Sequence, residues 1–232
     1  MNVNGYKSWL IASSIVFLVL LIPAFVSSLL THPVYLQLLS LIVVGSYATL
    51  WWALGAGLSV ANAISFLRVV LLVCAALSSL WGERDLTTLI LLTAILSDAL
   101  DGYIARRMEQ ATAAGAVLDM EADQNLVLVM ALLAAQTSEF GVLLLLLPAL
   151  KYCSVLASAG LGRPLLDPKP VAGDNRRAKS IYVLVLMALV LEIQPYPLGA
   201  LPTIFSALAI PALCASFALD FVHQLRSDGA PS

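Results

Sequence analysis

The sequence predicts an all-α fold, a polytopic membrane helical bundle, and three observations carry that prediction. Hydrophobic residues make up 61% of the chain, against about 45 to 50% in a soluble domain, and mean hydropathy is +0.96. Apolar runs of about 20 residues recur along it, the length a helix needs to cross a hydrocarbon core about 30 Å thick. Charged residues are only 11% of the total and fall in clusters. Helices satisfy their backbone groups internally, which lipid demands of any span that is not part of a closed barrel.

Eight spans follow in order, at residues 8–30, 34–54, 63–81, 86–106, 117–137, 142–161, 179–194 and 199–223. The first starts after Lys7, and its apolar run exceeds the roughly 7 to 15 residues of a signal-peptide core, so a retained anchor is expected. No Asp, Glu, Lys or Arg occurs between Lys7 and Arg68, which favours a second crossing over a helix lying on the membrane surface. Residues 1–60 therefore form a two-helix membrane extension whose expected work is packing or dimer contact. The remaining spans form a six-helix core over 61–224, and the stretch 225–232, ending SDGAPS, is expected as a disordered tail.

Basic residues set the orientation. With a cytoplasmic N-terminus, Lys7, Arg68, Arg106, Arg107, Arg163, Lys169, Arg176, Arg177, Lys179 and Arg226 lie on or near the cytoplasmic side, and Arg84 lies in an outer loop. Lys151 remains inside a span. Cys74, Cys153 and Cys214 have neither paired nor metal-ligand spacing and are expected to be packing residues. Net charge is −2, there is no Gly-rich phosphate loop or Ser-His-Asp arrangement, and nothing suggests nucleic acid.

Against this background Asp98, Asp101, Asp119 and Asp123 stand out. A carboxylate at membrane depth is costly, so acids kept there face a polar cavity and are held by cations or substrate. Residues three or four apart share a helix face, so Asp98 pairs with Asp101 on one helix and Asp119 with Asp123 on the next. Gly102, Ala105, Gly115 and the small residues of 111–116 strip bulk from the space between the pairs. Oxygen-only donors select hard cations such as Mg²⁺ or Mn²⁺, or Ca²⁺, over Zn²⁺.

As a pattern the stretch is D-x2-D-G-x2-A-R-x8-G-x3-D-x3-D, filled by Asp98, Asp101, Gly102, Ala105, Arg106, Gly115, Asp119 and Asp123. This resembles the signature of the CDP-alcohol phosphotransferase family. Asn62, Ser65 and Arg68 sit where members commonly carry N-x2-T-x3-R, and Lys179-Ser180 where a Lys-Thr pair often opens the next-to-last helix. The resemblance runs over roughly 61 to 224 and makes the six-helix core the catalytic core.

The resemblance implies a metal-dependent phosphatidyltransferase that moves a phosphatidyl group from CDP-diacylglycerol to a small alcohol and releases CMP. Asp98, Asp101, Asp119 and Asp123 would hold Mg²⁺ or Mn²⁺, with Asp123 also the general base. Asn62, Ser65, Arg68, Asp101, Gly102, Ala105, Arg106 and Gly115 would shape the CDP site. For Arg68 the competing reading is a residue snorkelling to the interface. The long polar loop before the seventh span suits a phosphate-bearing acceptor, which makes Lys151, Arg163, Arg176 and Lys179 candidate acceptor contacts; positive-inside topology explains the loop charges equally. Gln124 replaces a frequent Lys or Arg, and Glu121 departs from the DPVAD of glycerophosphate-type members, so the acceptor stays open. The resemblance also implies a homodimer, and the composition a prokaryotic plasma membrane with both termini and the site cytoplasmic.

Two other classes compete. A membrane prenyltransferase also uses Asp-rich motifs with Mg²⁺, but separates them by about half the protein and lacks the D-G-x2-A-R element. A cation or proton transporter could relay through buried carboxylates, yet needs neither Gly102 nor Arg106 at these offsets, and no inverted repeat of the motif is present.

Overall fold

The computed structural model describes residues 3–24, 33–57, 59–107, 112–138, 140–162 and 175–227. They form eight α-helices: α1 (Val3–Ala24), α2 (Pro33–Leu54), α3 (Val60–Leu80), α4 (Arg84–Arg107), α5 (Ala113–Ala134), α6 (Leu146–Gly160), α7 (Asn175–Ile193) and α8 (Leu201–Ser227), with a 3-10 turn, Gly141–Leu145, leading into α6. No strand occurs among the described residues. The expected all-α polytopic membrane bundle is the fold, with α1 and α2 added ahead of six core helices. The expected tail is shorter than 225–232, because α8 continues through Ser227; residues 228–232 lie outside the described ones.

Five helices, α1, α2, α3, α6 and α8, contain stretches long and apolar enough to cross a membrane. The other three, α4, α5 and α7, carry the ionisable residues that lower their hydropathy. At 21 residues α3 is about 31 Å long, matched to a hydrocarbon core about 30 Å thick. Trp52 at the end of α2 is 85% exposed and Trp81 at the end of α3 is 76% exposed, placing indoles at the two opposite rims as interfacial belts require. Exposed Ile204, Leu208 and Leu219 make α8 an outer, lipid-facing helix.

Successive helices run antiparallel, as the contacts between α1 and α2, α3 and α4, and α7 and α8 show. Between α3 and α4 the turn closes at Gly82, whose φ of 73° is open to glycine at no steric cost, and the Ser78 and Thr87 hydroxyls meet across it at 2.7 Å. Two ends of the bundle result. One carries the starts of α1, α3, α5 and α7 and the ends of α2, α4, α6 and α8, and is called here the site end.

The centre belongs to α5. From Leu126 to Ala134 every residue is buried, so this part of the helix is apolar all round and enclosed by its neighbours, as such a pattern requires. The N-terminal pair is packed into the same core. Trp9 of α1 donates its indole N–H to the Ser46 carbonyl at 3.1 Å and to Thr49 Oγ1 at 3.2 Å, and the Tyr35 hydroxyl donates to the Leu20 carbonyl at 2.8 Å. Phe17 stacks on Tyr152 of α6, ring centroids 5.2 Å apart. Trp51 meets Phe66 of α3 edge-on at 6.1 Å.

Two of the three cysteines differ from expectation. Cys74 and Cys153 are exposed on the bundle surface and pack nothing in the interior, because each falls on the outward stripe of its helix. Removing the buried stack between α1 and α6 is expected to loosen the N-terminal pair: Phe17→Ala should cost about 3 kcal/mol. Thermal unfolding of the purified protein in detergent measures that loss.

Candidate active site

Two helix starts meet at the site end. Ser59 caps α3, its hydroxyl accepting the Asn62 N–H at 3.1 Å, and Thr112 caps α5, its hydroxyl accepting the Gly115 N–H at 3.0 Å. Each cap satisfies one of the donors a helix start leaves over. The Asn62 side chain, 6% exposed, donates Nδ2–H to the Gly57 carbonyl at 2.9 Å and turns its oxygen toward α5. A Cβ at position 115 would lie 2.9 Å from Asn62 Oδ1 and 3.1 Å from Thr112 Oγ1. Glycine at 115 is thus what lets α3 and α5 close on each other here. Two parallel helix starts side by side also join two positive dipole ends, a setting that draws an anion.

Two turns deeper lies the charged centre. Arg68 of α3 is fully buried, about 12 Å along the axis from Val60. Its Nη1–H donates to Asp123 Oδ1 at 2.8 Å and to Asp119 Oδ1 at 3.2 Å, while Nε–H reaches Ser97 Oγ of α4 at 3.5 Å. The two carboxylates stay partly open, with side-chain exposures of 43% for Asp119 and 24% for Asp123. A cation therefore sits behind the acid pair and holds both members on one side. Snorkelling does not describe Arg68, which reaches inward to carboxylates and has no exposed surface.

The other expected residues distribute as follows. Ser65 lies one turn before Arg68 on α3 and is 3% exposed. Asp98, Asp101, Gly102, Ala105 and Arg106 all fall on the last three turns of α4, the helix that supplies Ser97; their side chains lie outside the described ones. Lys179 is exposed on the first turns of α7. Arg176 is on the same turn, its side chain outside the described ones, and Arg163 lies outside the described residues altogether.

Lys151 differs from the expected acceptor contact. It is 5% exposed and its ammonium donates to Glu121 of α5 at 3.0 Å and 2.9 Å, one bond to each carboxylate oxygen. The Tyr6 hydroxyl of α1 reaches Glu121 Oε1 at 3.5 Å. Glu121 is two residues, about 200° of helix, from Asp119 and so points away from the acid pair. The sequence offered one signal for this pair: an acid of α5 off the Asp119–Asp123 stripe and a lysine in the middle of a span, both needing partners in a low dielectric.

The donor set fits a hard divalent cation. Asp119 and Asp123 are carboxylates one turn apart, partly open, with oxygen as the only ligand chemistry. Among the described side chains no group of three or more His, Cys, Asp or Glu converges, and Asp98 and Asp101 stand outside that search.

Comparison with known proteins agrees with this layout. The sequence model of the CDP-alcohol phosphatidyltransferase family matches residues 58–225, from the Ser59 cap to the last turn of α8. The chain belongs to the CDP-alcohol phosphatidyltransferase family. It is also similar to CDP-diacylglycerol--inositol 3-phosphatidyltransferase 1 of Arabidopsis thaliana, 36% identical over 67 residues, a stretch that spans 29% of this chain and 29% of that one. No solved structure matches the chain.

Two expectations test the site. Arg68→Met would leave two carboxylates without their buried cation; because both are partly open, the loss should sit near the low end for a broken buried pair, about 3 kcal/mol or roughly 6 to 12 °C in Tm by thermal unfolding in detergent. Gly115→Ala should leave Tm nearly unchanged, since alanine returns about 1 kcal/mol of helix propensity. It should still weaken nucleotide binding about tenfold by pushing the Asn62 amide aside, which CDP binding by calorimetry would show.

Proposed function

We propose that the protein is a phosphatidyltransferase that moves a phosphatidyl group from CDP-diacylglycerol to the hydroxyl of a small alcohol, releasing CMP, in phospholipid synthesis. The observation that carries this reading is the acid pair of α5, held from behind by buried Arg68 and open in front, beside the joined starts of α3 and α5. Family membership over residues 58–225 supports it.

In this reading the lipid-bearing phosphorus of the donor lies before Asp119 and Asp123. The acceptor oxygen bonds to that phosphorus as its bond to the CMP oxygen breaks, and the acceptor proton passes to Asp123. Asp98, Asp101, Asp119 and Asp123 would hold Mg²⁺ or Mn²⁺, which supplies charge neutralisation for the pyrophosphate and polarisation of the phosphoryl oxygens. Arg68 keeps the two α5 carboxylates turned to one side in advance of binding. Asn62, Ser65, Gly102, Ala105, Arg106 and Gly115 line the nucleotide end, where bare backbone and two helix starts suit a diphosphate. Lys179 and the residues before α7, including Arg163 and Arg176, are the proposed acceptor contacts; Lys151 is not among them, being committed to Glu121.

Lys7, Arg106, Arg107, Lys179 and Arg226 all belong to the site end and Arg84 to the other, which supports a site facing the cytoplasm of a prokaryotic plasma membrane. The catalytic unit is then 61–224, working as a homodimer in lipid. The Arabidopsis relative is named for inositol, so inositol and inositol 1-phosphate are the first acceptors to try, followed by glycerol 3-phosphate, serine and choline.

The test follows labelled CDP-diacylglycerol in proteoliposomes with each acceptor and Mg²⁺ or Mn²⁺. CMP should form with one acceptor class, and Asp123→Asn should lower its rate about 10³-fold or more at unchanged protein level. Turnover retained in that variant would remove Asp123 as base. Consumption of a polyprenyl diphosphate without CMP would point instead to prenyl transfer.

A further inference from the structure

The charge pair on the far side of α5 has no part in the chemistry described above, and its position gives it one. Glu121 lies about 200° round the helix from Asp119, so α5 is gripped by ion pairs on two nearly opposite sides: Arg68 of α3 on one, Lys151 of α6 on the other. Both members of the second pair are buried, with side-chain exposures of 6% each, and α1 closes over it through Tyr6. Such a pair is poor value as a stabiliser, because desolvation cancels most of its Coulomb gain and apolar residues of similar size serve as well or better. Its distinguishing property is the penalty for parting it, which leaves two charges buried and unpaired. Below Asn125 the helix is buried in Leu, Val, Ala and Met, whose non-directional contacts carry no such penalty for a small shift. The ammonium, within 3.0 Å of both carboxylate oxygens, holds Glu121 to one place.

From these observations we infer that Glu121 and Lys151, backed by Tyr6, are positioning residues that fix the rotation of α5 and so keep Asp119 and Asp123 turned to its partly open side. The lever is short. A carboxylate about 5 Å from the helix axis swings about 1 Å for a rotation of roughly 12°, and a 1 Å displacement in a catalytic constellation can cost about 10²-fold in rate. The N-terminal helices thereby act on the site from behind, through α1 and α6, without touching substrate.

The inference rests on reading Asp119 and Asp123 as cation ligands, and the experiment keeps the two apart. Mn²⁺ binding to the purified full chain is measured by electron paramagnetic resonance titration, with CMP release in parallel, for wild type, the apolar pair Glu121→Leu with Lys151→Met, and the reversed pair Glu121→Lys with Lys151→Glu. The apolar pair should remain folded, with a thermal midpoint near wild type, yet bind Mn²⁺ about tenfold more weakly and turn over more slowly. The reversed pair should bind within about threefold of wild type. A folded apolar pair with wild-type Mn²⁺ affinity and turnover would overturn the inference, as would a folded reversed pair that binds no better than the apolar one. A wild-type protein that takes up no Mn²⁺ would overturn the cation-site reading itself, and this inference with it.

Discussion

Arg68 is the contact on which the site depends. Carboxylates at membrane depth repel one another and lack water to disperse their charge, so a pair of them stands ready at one place only if a cation is already there. The guanidinium supplies that cation from α3, with one nitrogen shared between Asp119 and Asp123 and another near Ser97 of α4. Three helices are tied by one side chain. Its planar fork, always charged, suits this in a way a lysine ammonium would not, because the bonds it makes are fixed in direction.

Around that contact the bundle assembles a graded environment. At the rim, two capped helix starts are brought together by the missing side chain at Gly115 and the inward-facing amide of Asn62. Two turns in, the acids stay partly open while their cation is sealed. Deeper still, α5 is enclosed by apolar neighbours and anchored on its far side by Lys151. Charge is thus arranged so that the partly open Asp119 and Asp123 can meet an incoming cation, while the buried Arg68 and Lys151 are already bound to carboxylates. Phosphoryl transfer asks little covalent chemistry of a protein and much positioning, which is what such an arrangement provides.

Much of this was readable in the sequence. Apolar runs located all eight helices to within a few residues at most ends; α3, expected over 63–81, occupies 60–80, and α6, expected over 142–161, ends at Gly160. The largest shift is in α1, expected over 8–30 and found at Val3–Ala24, because hydropathy marks apolar length and is blind to where a helix starts among polar residues such as Asn4 and Lys7. The i, i+4 spacing put Asp119 and Asp123 on one face, where they are. The same reasoning gave Lys151 an acceptor and Cys74 and Cys153 a packing role, and there it failed: spacing says which residues share a stripe and nothing about which way the stripe faces.

By itself, then, the sequence determined what is local: helix lengths, the stripe of acids and the small residues beside it, all consequences of a 3.6-residue period and of residue type. Tertiary structure alone decided the partners. Arg68 lies 51 and 55 residues from its two aspartates, Lys151 lies 30 from Glu121, and Tyr6 lies 115 from it. No local periodicity spans such separations. Which cation meets which acid is settled only when helices pack, because in a medium without water each buried charge takes the opposite charge that packing brings within reach.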